Sequence, residues 1–329
     1  MRSCPKCEVQ NDEESRFCGE CGTPLTEKSE EGCSNCHAPA GKIDKDGFCS
    51  VCGYQRPINA DSRESALSNS FAGASDKGKK HFQNEDVFKI GACNGFYIAV
   101  VCDGVSTSAH PAEASRLAAE AAKDHLSEKL THCNGNGLAK VIEESIEAAE
   151  QAVQALPRND PKLDPPASTI VVAIADKNKV TVGWLGDSRA YFVSEKKSKQ
   201  ITRDHSWVNA QVDEGKLSYE EASKSRMAHT ITKTLGGYHD IDQPDQPSFG
   251  EFEITESGWL LLCSDGLWNY TENIKEVIPL AGNKPTAQEL ASFLVQWANQ
   301  QGGKDNITVI ALKIHPETKP PWPSQKPNP

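Results

Sequence analysis

Residues 97–105 read Tyr-Ile-Ala-Val-Val-Cys-Asp-Gly-Val, an apolar run that ends in an aspartate and a glycine. Residues 259–268 repeat this pattern as Trp-Leu-Leu-Leu-Cys-Ser-Asp-Gly-Leu-Trp. Short apolar runs that are bounded by Gly, Asp or Asn predict buried strands. Each run therefore predicts a strand that presents a carboxylate, Asp103 or Asp265, at the edge of a hydrophobic layer.

Outward from these two runs, the pattern predicts a mixture of strands and helices. The predicted strands are 97–102, 169–175, 180–185, 190–193, 259–263 and 307–314. Helical periodicity is found over 111–130, 137–156 and 287–301, the last opened by a Thr286/Glu289 capping box, and a shorter helix is predicted to start at Ser218. Because the long helices form separate blocks, the layout is α+β rather than a repeated βαβ unit.

Three more aspartates lie beside apolar runs: Asp187 follows Val-Gly-Trp-Leu-Gly, Asp305 precedes Asn-Ile-Thr-Val-Ile, and Asp86 closes Gln-Asn-Glu-Asp. Carboxylates gathered at poorly solvated positions repel one another unless a cation lies between them. Aspartate oxygens suit Mg²⁺ or Mn²⁺. The pattern indicates an aspartate-rich metal centre with hydrolytic chemistry, with ordinary Asp-Gly turns as the alternative. No phosphate-binding glycine loop, Gly-x-Ser-x-Gly elbow or His-Glu-x-x-His motif competes.

Eight of the twelve cysteines precede residue 53, as four Cys-x-x-Cys pairs. The pairs form two quartets with internal gaps of ten and twelve residues, and four thiolates at this spacing can close a tetrahedron around Zn²⁺. The stretches resemble tandem zinc ribbons, at 1–27 and 30–57. The predicted ligands of two zinc ions are Cys4, Cys7, Cys18, Cys21, Cys33, Cys36, Cys49 and Cys52.

Disulfides, a redox pair and rubredoxin-like iron are the alternatives for these cysteines. Disulfides need an export route, redox pairs need a surrounding βαβ unit, and iron on the same four thiolates is not separated from zinc by geometry. Residues 1–57 carry seven Lys/Arg against ten Asp/Glu, and the whole chain has a net charge of −11. This balance disfavours nucleic acid as a partner and favours a protein-docking or spacer role.

The remaining features set the domain boundaries and the compartment. Residues 58–70 are predicted to be a linker and 315–329 a proline-rich disordered tail, which leaves one domain over 71–314. The apolar runs are too short to span a membrane and the N-terminus has no apolar signal core, so we expect a cytoplasmic monomer. Cys102 and Cys263, in strand-like runs, are expected to be small buried hydrophobes.

Taken in order, five motifs resemble those of the metal-dependent Ser/Thr protein phosphatases of the PP2C (PPM) family. They are Gln-Asn-Glu-Asp (83–86), Val-Val-Cys-Asp-Gly-Val (100–105), Gly-Asp-Ser-Arg-Ala-Tyr (186–191), Leu-Cys-Ser-Asp-Gly-Leu-Trp (262–268) and Asp-Asn-Ile-Thr (305–308). The resemblance implies a four-layer α-β-β-α sandwich with a dinuclear Mn²⁺/Mg²⁺ centre. It also implies hydrolysis of phosphoserine or phosphothreonine in proteins by a metal-activated water, opposing a Ser/Thr kinase.

Carried over by position, the resemblance implies roles for individual residues. Glu85 would contact metal-bound water, and Asp187 with Asp265 would match a weaker third metal site. Residues 204–237 look like the mobile flap beside the cleft. The implied ligands of the two main metals are the carboxylates of Asp86, Asp103, Asp265 and Asp305 and the carbonyl of Gly104.

Two departures from the family pattern affect the expected site. The phosphate-gripping arginine of the family is replaced by His81, preceded by Lys80, so we hypothesise that one of these two residues binds phosphate instead. The glycine pair after Asp103-Gly104 is replaced by Val-Ser-Thr-Ser (105–108). A catalytically weak pseudophosphatase or phosphoprotein-binding scaffold is therefore the alternative reading, and a nucleic-acid-binding zinc protein a weaker one.

Overall fold

The computed structural model describes residues 2–3, 10–11, 38–42, 50–52, 62–158, 163–237, 245–271 and 273–316. The chain divides into two compact units, Met1–Pro57 and Ile58–Pro329. In the first unit, β1 (Arg2–Ser3) pairs antiparallel with β2 (Gln10–Asn11), and a 3₁₀ helix covers Ala40–Lys42. Of the eight cysteines predicted to bind zinc, only Cys52 lies in the described residues, where it is exposed.

The second unit contains the remaining strands and helices. Its strands are β3 (Ser62–Ser68), β4 (Phe71–Asp76), β5 (Asp86–Cys93), β6 (Phe96–Asp103), β7 (Ala167–Ser168), β8 (Ile170–Ala175), β9 (Lys179–Leu185), β10 (Arg189–Val193), β11 (Ser198–Gln200), β12 (Leu235–Gly236), β13 (Ser248–Glu253), β14 (Gly258–Cys263) and β15 (Ile307–Ile314). Its helices are α1 (Pro111–Leu130), α2 (Leu138–Gln154), α3 (Trp207–Asp213), α4 (Tyr219–Ser223), α5 (Asp265–Trp268), α6 (Ile274–Val277), a 3₁₀ turn (Ile278–Ala281) and α7 (Ala287–Gln301).

Two antiparallel sheets form the centre of this unit. One has the strand order β11-β10-β14-β15-β4-β3 and the other β13-β9-β8-β6-β5, while β7 and β12 form a separate pair. Side chains alternate between the two faces of each strand. In β6, Ile98 and Val100 pack in the cluster that contains α1 and α2, whereas Ala99 and Val101 pack between the sheets. The α+β sandwich predicted from the sequence is thereby confirmed.

The six-stranded sheet, which contains β15, shows the same alternation of side chains. Val309 and Ala311 pack against α7, whereas Ile310 and Leu312 lie between the sheets. The layers are thus helix, sheet, sheet, helix. The three long helices lie where the sequence predicted them, the predicted capping box forms at Thr286, and the short helix predicted at Ser218 also begins with a capping box. No helix of the described residues has the length and apolarity that crossing a bilayer requires.

One segment differs from the prediction. Residues 58–70 were expected to be a linker, but Ser62–Ser68 forms β3, which pairs antiparallel with β4 at the sheet edge. This strand is mostly exposed on both faces, so it is held mainly by its backbone hydrogen bonds to β4. Because neither face is buried, its sequence has no alternation of apolar and polar residues by which the strand could be predicted. The second unit therefore starts before residue 71. The predicted tail lies outside the described residues from residue 317 onward.

Candidate functional site

The deepest part of the site is formed by two adjacent strands. Asp86 is the first residue of β5 and Asp103 is the last residue of β6, and the antiparallel register places them directly opposite each other. Asp86 is completely buried, whereas Asp103 is partly exposed. Two carboxylates thus meet at one end of the sandwich, as expected for the end of a buried strand pair.

The pKa values show that further carboxylates lie within electrostatic range. Burial raises the pKa of Asp86 to about 7, even though the hydrogen bond from Ser264 lowers it. Burial also raises the pKa of Asp103, and the charges of four other aspartates raise it further. These four are Asp86, Asp265, Asp305 and Asp187. The structure therefore gathers the five aspartates that the sequence singled out.

Asp265 lies at the end of the six-stranded sheet, and Asp187 lies in a loop. Asp265 begins α5 directly after β14, and burial raises its pKa, with added repulsion from Asp187, Asp305 and Asp86. Asp187 lies between β9 and β10. Burial and the charge of Asp204 raise the pKa of Asp187 to about 7.

Asp305 lies in the loop before β15, and its side chain is 42% exposed. Its Oδ1 accepts a hydrogen bond from the backbone N–H of Asn306 at 2.8 Å and lies 3.1 Å from Nε2 of His81. The expected phosphate-binding residue His81 is therefore in contact with an expected metal ligand. Lys80, which directly precedes His81 in the segment between β4 and β5, is exposed.

Asn306 joins this loop to the segment that carries the residues before Asp86. Its Oδ1 accepts from the backbone N–H of Glu85 at 2.7 Å, and its Nδ2 donates to the carbonyls of Lys77 and Gln83 at 2.8 and 3.1 Å. Asn306 is buried, and every polar atom of its side chain has a partner. It thus fixes the position of one acidic segment relative to the other.

Glu85 and Gly104 lie next to the two facing aspartates. The hydroxyl of Ser106 donates to Glu85 Oε2 at 2.5 Å, and Gln83 Nε2 donates to Oε1 at 3.3 Å. The backbone N–H of Gly104 donates to the Glu85 carbonyl at 3.1 Å. A Cβ at residue 104 would overlap the carbonyl of Pro111, so the close approach of the backbone requires glycine.

The segment expected to be the flap lies beside Asp187 and Asp265. A cavity of about 170 Å³ separates α3, α4 and the following loop from these two aspartates. Arg189 makes a two-point ion pair with Asp204 at 2.9 and 2.6 Å, and its guanidinium stacks on the Trp268 ring at 3.6 Å from the centroid. Trp268 Nε1 donates to the carbonyl of Asp187 at 3.0 Å. Arg189 therefore anchors the start of the flap segment to the site.

The donor set fits a divalent cation. Oδ2 of Asp86 accepts from Ser264, but its Oδ1 is buried without a hydrogen-bond partner, and a buried unsatisfied carboxylate oxygen is costly. Within the described ranges, no three Asp, Glu, His or Cys side chains already close around one point. Mg²⁺ and Mn²⁺ sites need no such cage, because these ions retain waters as ligands.

Several residues of the site were missed by the sequence analysis. Arg63 on β3 lies within electrostatic range of Asp86. Burial lowers the pKa of Arg63, and the negative charge of Asp86 partly offsets this. Its strand was taken for linker, so no pattern pointed to it. Ser264, Asn306 and Thr308 could have been found, because each lies within three residues of a predicted ligand inside a motif.

The cysteines near the site behave as small hydrophobic residues. Cys102 and Cys263 are fully buried in the two outer apolar clusters, which confirms the expectation. Burial raises the pKa of both thiols. Neither side chain is therefore suited to act as a nucleophile.

Family models match the two parts of the chain separately. A model described as "Protein phosphatase 2C" matches residues 75–307, and one described as "Double zinc ribbon" matches residues 4–53. Both agree with the resemblance drawn from the motifs.

Similar proteins include bacterial serine/threonine phosphatases. The chain is 30% identical over 244 residues to "Serine/threonine protein phosphatase PstP" of Mycobacterium tuberculosis; the match covers 74% of this chain and 45% of that protein, so it spans about half of its length. It is 28% identical to "Serine/threonine phosphatase stp" of Listeria welshimeri, over 72% of this chain and 93% of that one.

Solved structures show the same fold. The crystal structure of the M. tuberculosis phosphatase PstP/Ppp has a TM-score of 0.61 at 26% identity, covering 77% of this chain and 99% of that one. The catalytic domain of PstP, in complex with two manganese ions, has a TM-score of 0.58 at 28% identity, covering 77% and 98% of the two chains.

Proposed function

The chain belongs to the protein phosphatase 2C family, and from this premise we propose that it is a metal-dependent protein-serine/threonine phosphatase. Its substrates are phosphoserine and phosphothreonine in proteins, placed there by an opposing Ser/Thr kinase. The observation that carries the proposal is the buried, unpartnered Oδ1 of Asp86 among five aspartates, four of which raise the pKa of the fifth, Asp103. Such a cluster is relieved by protonation or by bound cations, and carboxylate oxygens are the ligands that Mg²⁺ and Mn²⁺ prefer.

The proposed ligands of two Mn²⁺ or Mg²⁺ ions are Asp86, Asp103, Asp265 and Asp305 with the carbonyl of Gly104. Asp187 with Asp265 would hold a third ion. When bound, these ions supply an activated water and neutralise charge on the phosphoryl group.

The chain's own residues position this chemistry. Asp103 is held opposite Asp86 by the strand register, and Ser106 holds the carboxylate of the neighbouring Glu85 by a hydrogen bond. Asn306 holds the loop of Asp305 against the loop that carries Glu85. Direct hydrolysis needs no protein nucleophile, which agrees with the protonated, buried thiols of Cys102 and Cys263.

We assign phosphate binding to His81 and Lys80, which lie on the loop beside Asp305. The family's arginine would bind phosphate through two parallel hydrogen bonds from its planar guanidinium, whereas histidine and lysine lack this two-donor fork. Weaker ground-state binding of the phosphorylated residue is the expected consequence.

The zinc-ribbon unit is proposed to bind two Zn²⁺ through its eight cysteines and to serve as a docking or regulatory module. Its match to a double zinc ribbon supports the metal, and its acidic balance supports a protein partner rather than nucleic acid. Thiolates must remain reduced to bind zinc, so we place the protein in the cytoplasm, as a monomer without a membrane partner.

The test is Mn²⁺-dependent release of phosphate from a phosphothreonine peptide by the full-length chain. We expect Asp265→Ala to abolish release and Asp124→Ala, an exposed aspartate on α1, to leave it unchanged. A wild-type chain that binds the phosphopeptide without releasing phosphate would favour the pseudophosphatase alternative.

A further inference from the structure

Asp187 lies in the short connection between β9 and β10, and residues of other segments hold this connection in place. Gly186, directly before it, has a φ of +100°, and a Cβ at this position would overlap the side chain of Thr169. The hydroxyls of Thr169 and Ser188 are 2.8 Å apart. The carbonyl of Asp187 accepts from Nε1 of Trp268 at 3.0 Å. The position of Asp187 is therefore set largely by residues outside its own connection.

The segment that resembles the family's flap, residues 204–237, reaches this connection through His205. The backbone N–H of His205 donates to the Gly186 carbonyl at 2.9 Å, and the N–H of Gly186 donates to Nδ1 of the His205 ring at 3.1 Å. Both backbone polar groups of Gly186 are thus bonded to one residue. The carbonyl of His205 accepts from the N–H of Thr232 at 2.8 Å, which joins the start of the flap segment to its later part.

These bonds determine the charge and the tautomer of His205. Because Nδ1 accepts a hydrogen bond, it carries no proton, so the ring is neutral and its hydrogen is on Nε2. Nε2 then donates to Ser248 Oγ on β13, at 2.9 Å. The ring also stacks on Trp184 of β9, with 6.2 Å between the ring centroids and 19° between the planes. The ring is therefore held in one orientation, with Nδ1 directed at Gly186.

The residue before His205 holds the other side of Asp187. Asp204 makes the two-point ion pair with Arg189 at 2.9 and 2.6 Å, and the two side chains are only 10% and 18% exposed. Two consecutive residues of the flap segment thus bind the residue before Asp187 and the second residue after it. The side chain of Asp187 lines the cavity of about 170 Å³ together with Asp265.

We propose that His205 and Asp204 form a clamp that positions Asp187 for cation binding, with Nδ1 of His205 as the acceptor on which the clamp depends. This inference rests on the proposed function, in which Asp187 and Asp265 hold the third ion. His205 and Asp204 are positioning residues, since they act through the neighbours of Asp187. Outer-shell partners of metal ligands commonly change affinity by about 10- to 100-fold when they are removed.

The decisive experiment separates the two ring nitrogens of His205. His205→Asn places an amide oxygen at the position of Nδ1, where it can accept from Gly186. His205→Gln instead places its amide near Nε2, within reach of Ser248. All three side chains are neutral, so the charge around the site stays constant. Any difference in cation affinity between these two variants therefore reports on the bond to Gly186.

The full-length protein is titrated with Mn²⁺, and free Mn²⁺ is followed by its electron paramagnetic resonance signal. Asp187→Asn identifies the third ion, because it removes a carboxylate proposed to hold that ion alone. We expect His205→Gln to raise the dissociation constant of this ion about 10-fold and His205→Asn to keep it close to the wild-type value. The matched control is His125→Gln on α1, next to Glu144, which should leave Mn²⁺ binding unchanged.

A measurement on the wild-type chain covers the case in which the variants do not fold. Cation binding at Asp187 and formation of the clamp must favour each other, because coupling between two sites is reciprocal. We expect Mn²⁺, at concentrations that fill the third site, to slow hydrogen exchange at the amides of Gly186, His205 and Thr232. Unchanged exchange at these amides overturns the clamp.

The failure of this inference can be told apart from that of the proposed function. A wild-type chain that releases phosphate, with His205→Asn and His205→Gln binding the third Mn²⁺ equally well, overturns the clamp alone. A wild-type chain that releases phosphate and binds two Mn²⁺ but no third does the same. A wild-type chain that neither binds Mn²⁺ nor releases phosphate overturns both.

Discussion

Asp86 and Asp305 are two carboxylates of one site, but the protein holds them in opposite ways. Asp86 begins β5, the edge strand of the five-stranded sheet, has no exposure, and is hydrogen-bonded through its backbone and through Oδ2. Asp305 lies in a loop with a side chain that is 42% exposed, and its Oδ1 lies 3.1 Å from Nε2 of His81.

The difference separates what the sheet fixes from what the loops adjust. A carboxylate held by paired strands and buried hydrogen bonds cannot move without disrupting the core. A carboxylate on a half-exposed loop can shift with its neighbours at little cost. We therefore expect substitutions on the sheet side to abolish function and substitutions on the loop side to tune it.

The largest effect is expected from Asp103→Asn, which removes one charge of the facing pair without changing its shape. Loss of a carboxylate ligand should reduce phosphate release from a phosphothreonine peptide by about 10³-fold, since metal stabilisation of the transition state amounts to several kcal/mol. Without added divalent cations, the same variant should melt at a higher temperature, because it relieves repulsion with Asp86.

Asp124→Asn, on the exposed face of α1, is the matched control for both measurements. If Asp103→Asn loses activity and also lowers the melting temperature without cations, the two carboxylates do not repel in the way described. Asp86 and Asp103 would then be a pair that stabilises the fold rather than part of a cation site.

The next effect concerns the pH dependence of stability without added divalent cations. The pKa values of Asp86 and Asp187 are about 7 in the folded protein, whereas an unperturbed aspartate has a pKa of 3.8. The folded state thus binds more protons than the unfolded state between pH 4 and 7. The free energy of unfolding must fall as pH rises through this window.

We expect the melting temperature to fall by about 5 °C between pH 5 and pH 8. His205 acts in the opposite direction, since burial lowers its pKa to about 4, but it is one group against several aspartates. Saturating Mn²⁺ should remove the fall. A melting temperature that rises with pH in the cation-free protein would contradict the raised pKa values of the buried aspartates.

The carboxylates of the site were predictable because each one adjoins an apolar run. Asp103 and Asp265 each follow a run of consecutive apolar residues, which predicts a buried strand. The strand and the carboxylate at its end can therefore both be recognised from neighbouring residues in the sequence. Arg63 was not predictable in this way. Its strand, β3, is an edge strand exposed on both faces, and its stability depends on hydrogen bonds to β4 that no residue pattern records.

The contact between His81 and Asp305 was also beyond the sequence. The two residues are far apart in the sequence, and the pairing of β4 with β15 and the hydrogen bonds of Asn306 bring their loops together. The same holds for the hydrogen bond from Ser264 to Asp86 Oδ2 at 2.6 Å, which joins segments far apart in the sequence. The motifs located the carboxylates of the site, while the tertiary fold determines which side chains contact them.

The smallest effect is expected from His81→Arg, on the loop side. Arginine is permanently charged and can bind a phosphate by two hydrogen bonds, so we expect KM for the phosphothreonine peptide to fall about 3- to 10-fold with little change in kcat. His132→Arg, an exposed position after α1, adds the same charge away from the site and should leave KM unchanged. An unchanged KM in His81→Arg would mean that His81 does not bind substrate phosphate. If instead the Mn²⁺ requirement rises, the arginine has engaged Asp305, and the loop side would then tune metal affinity rather than substrate binding.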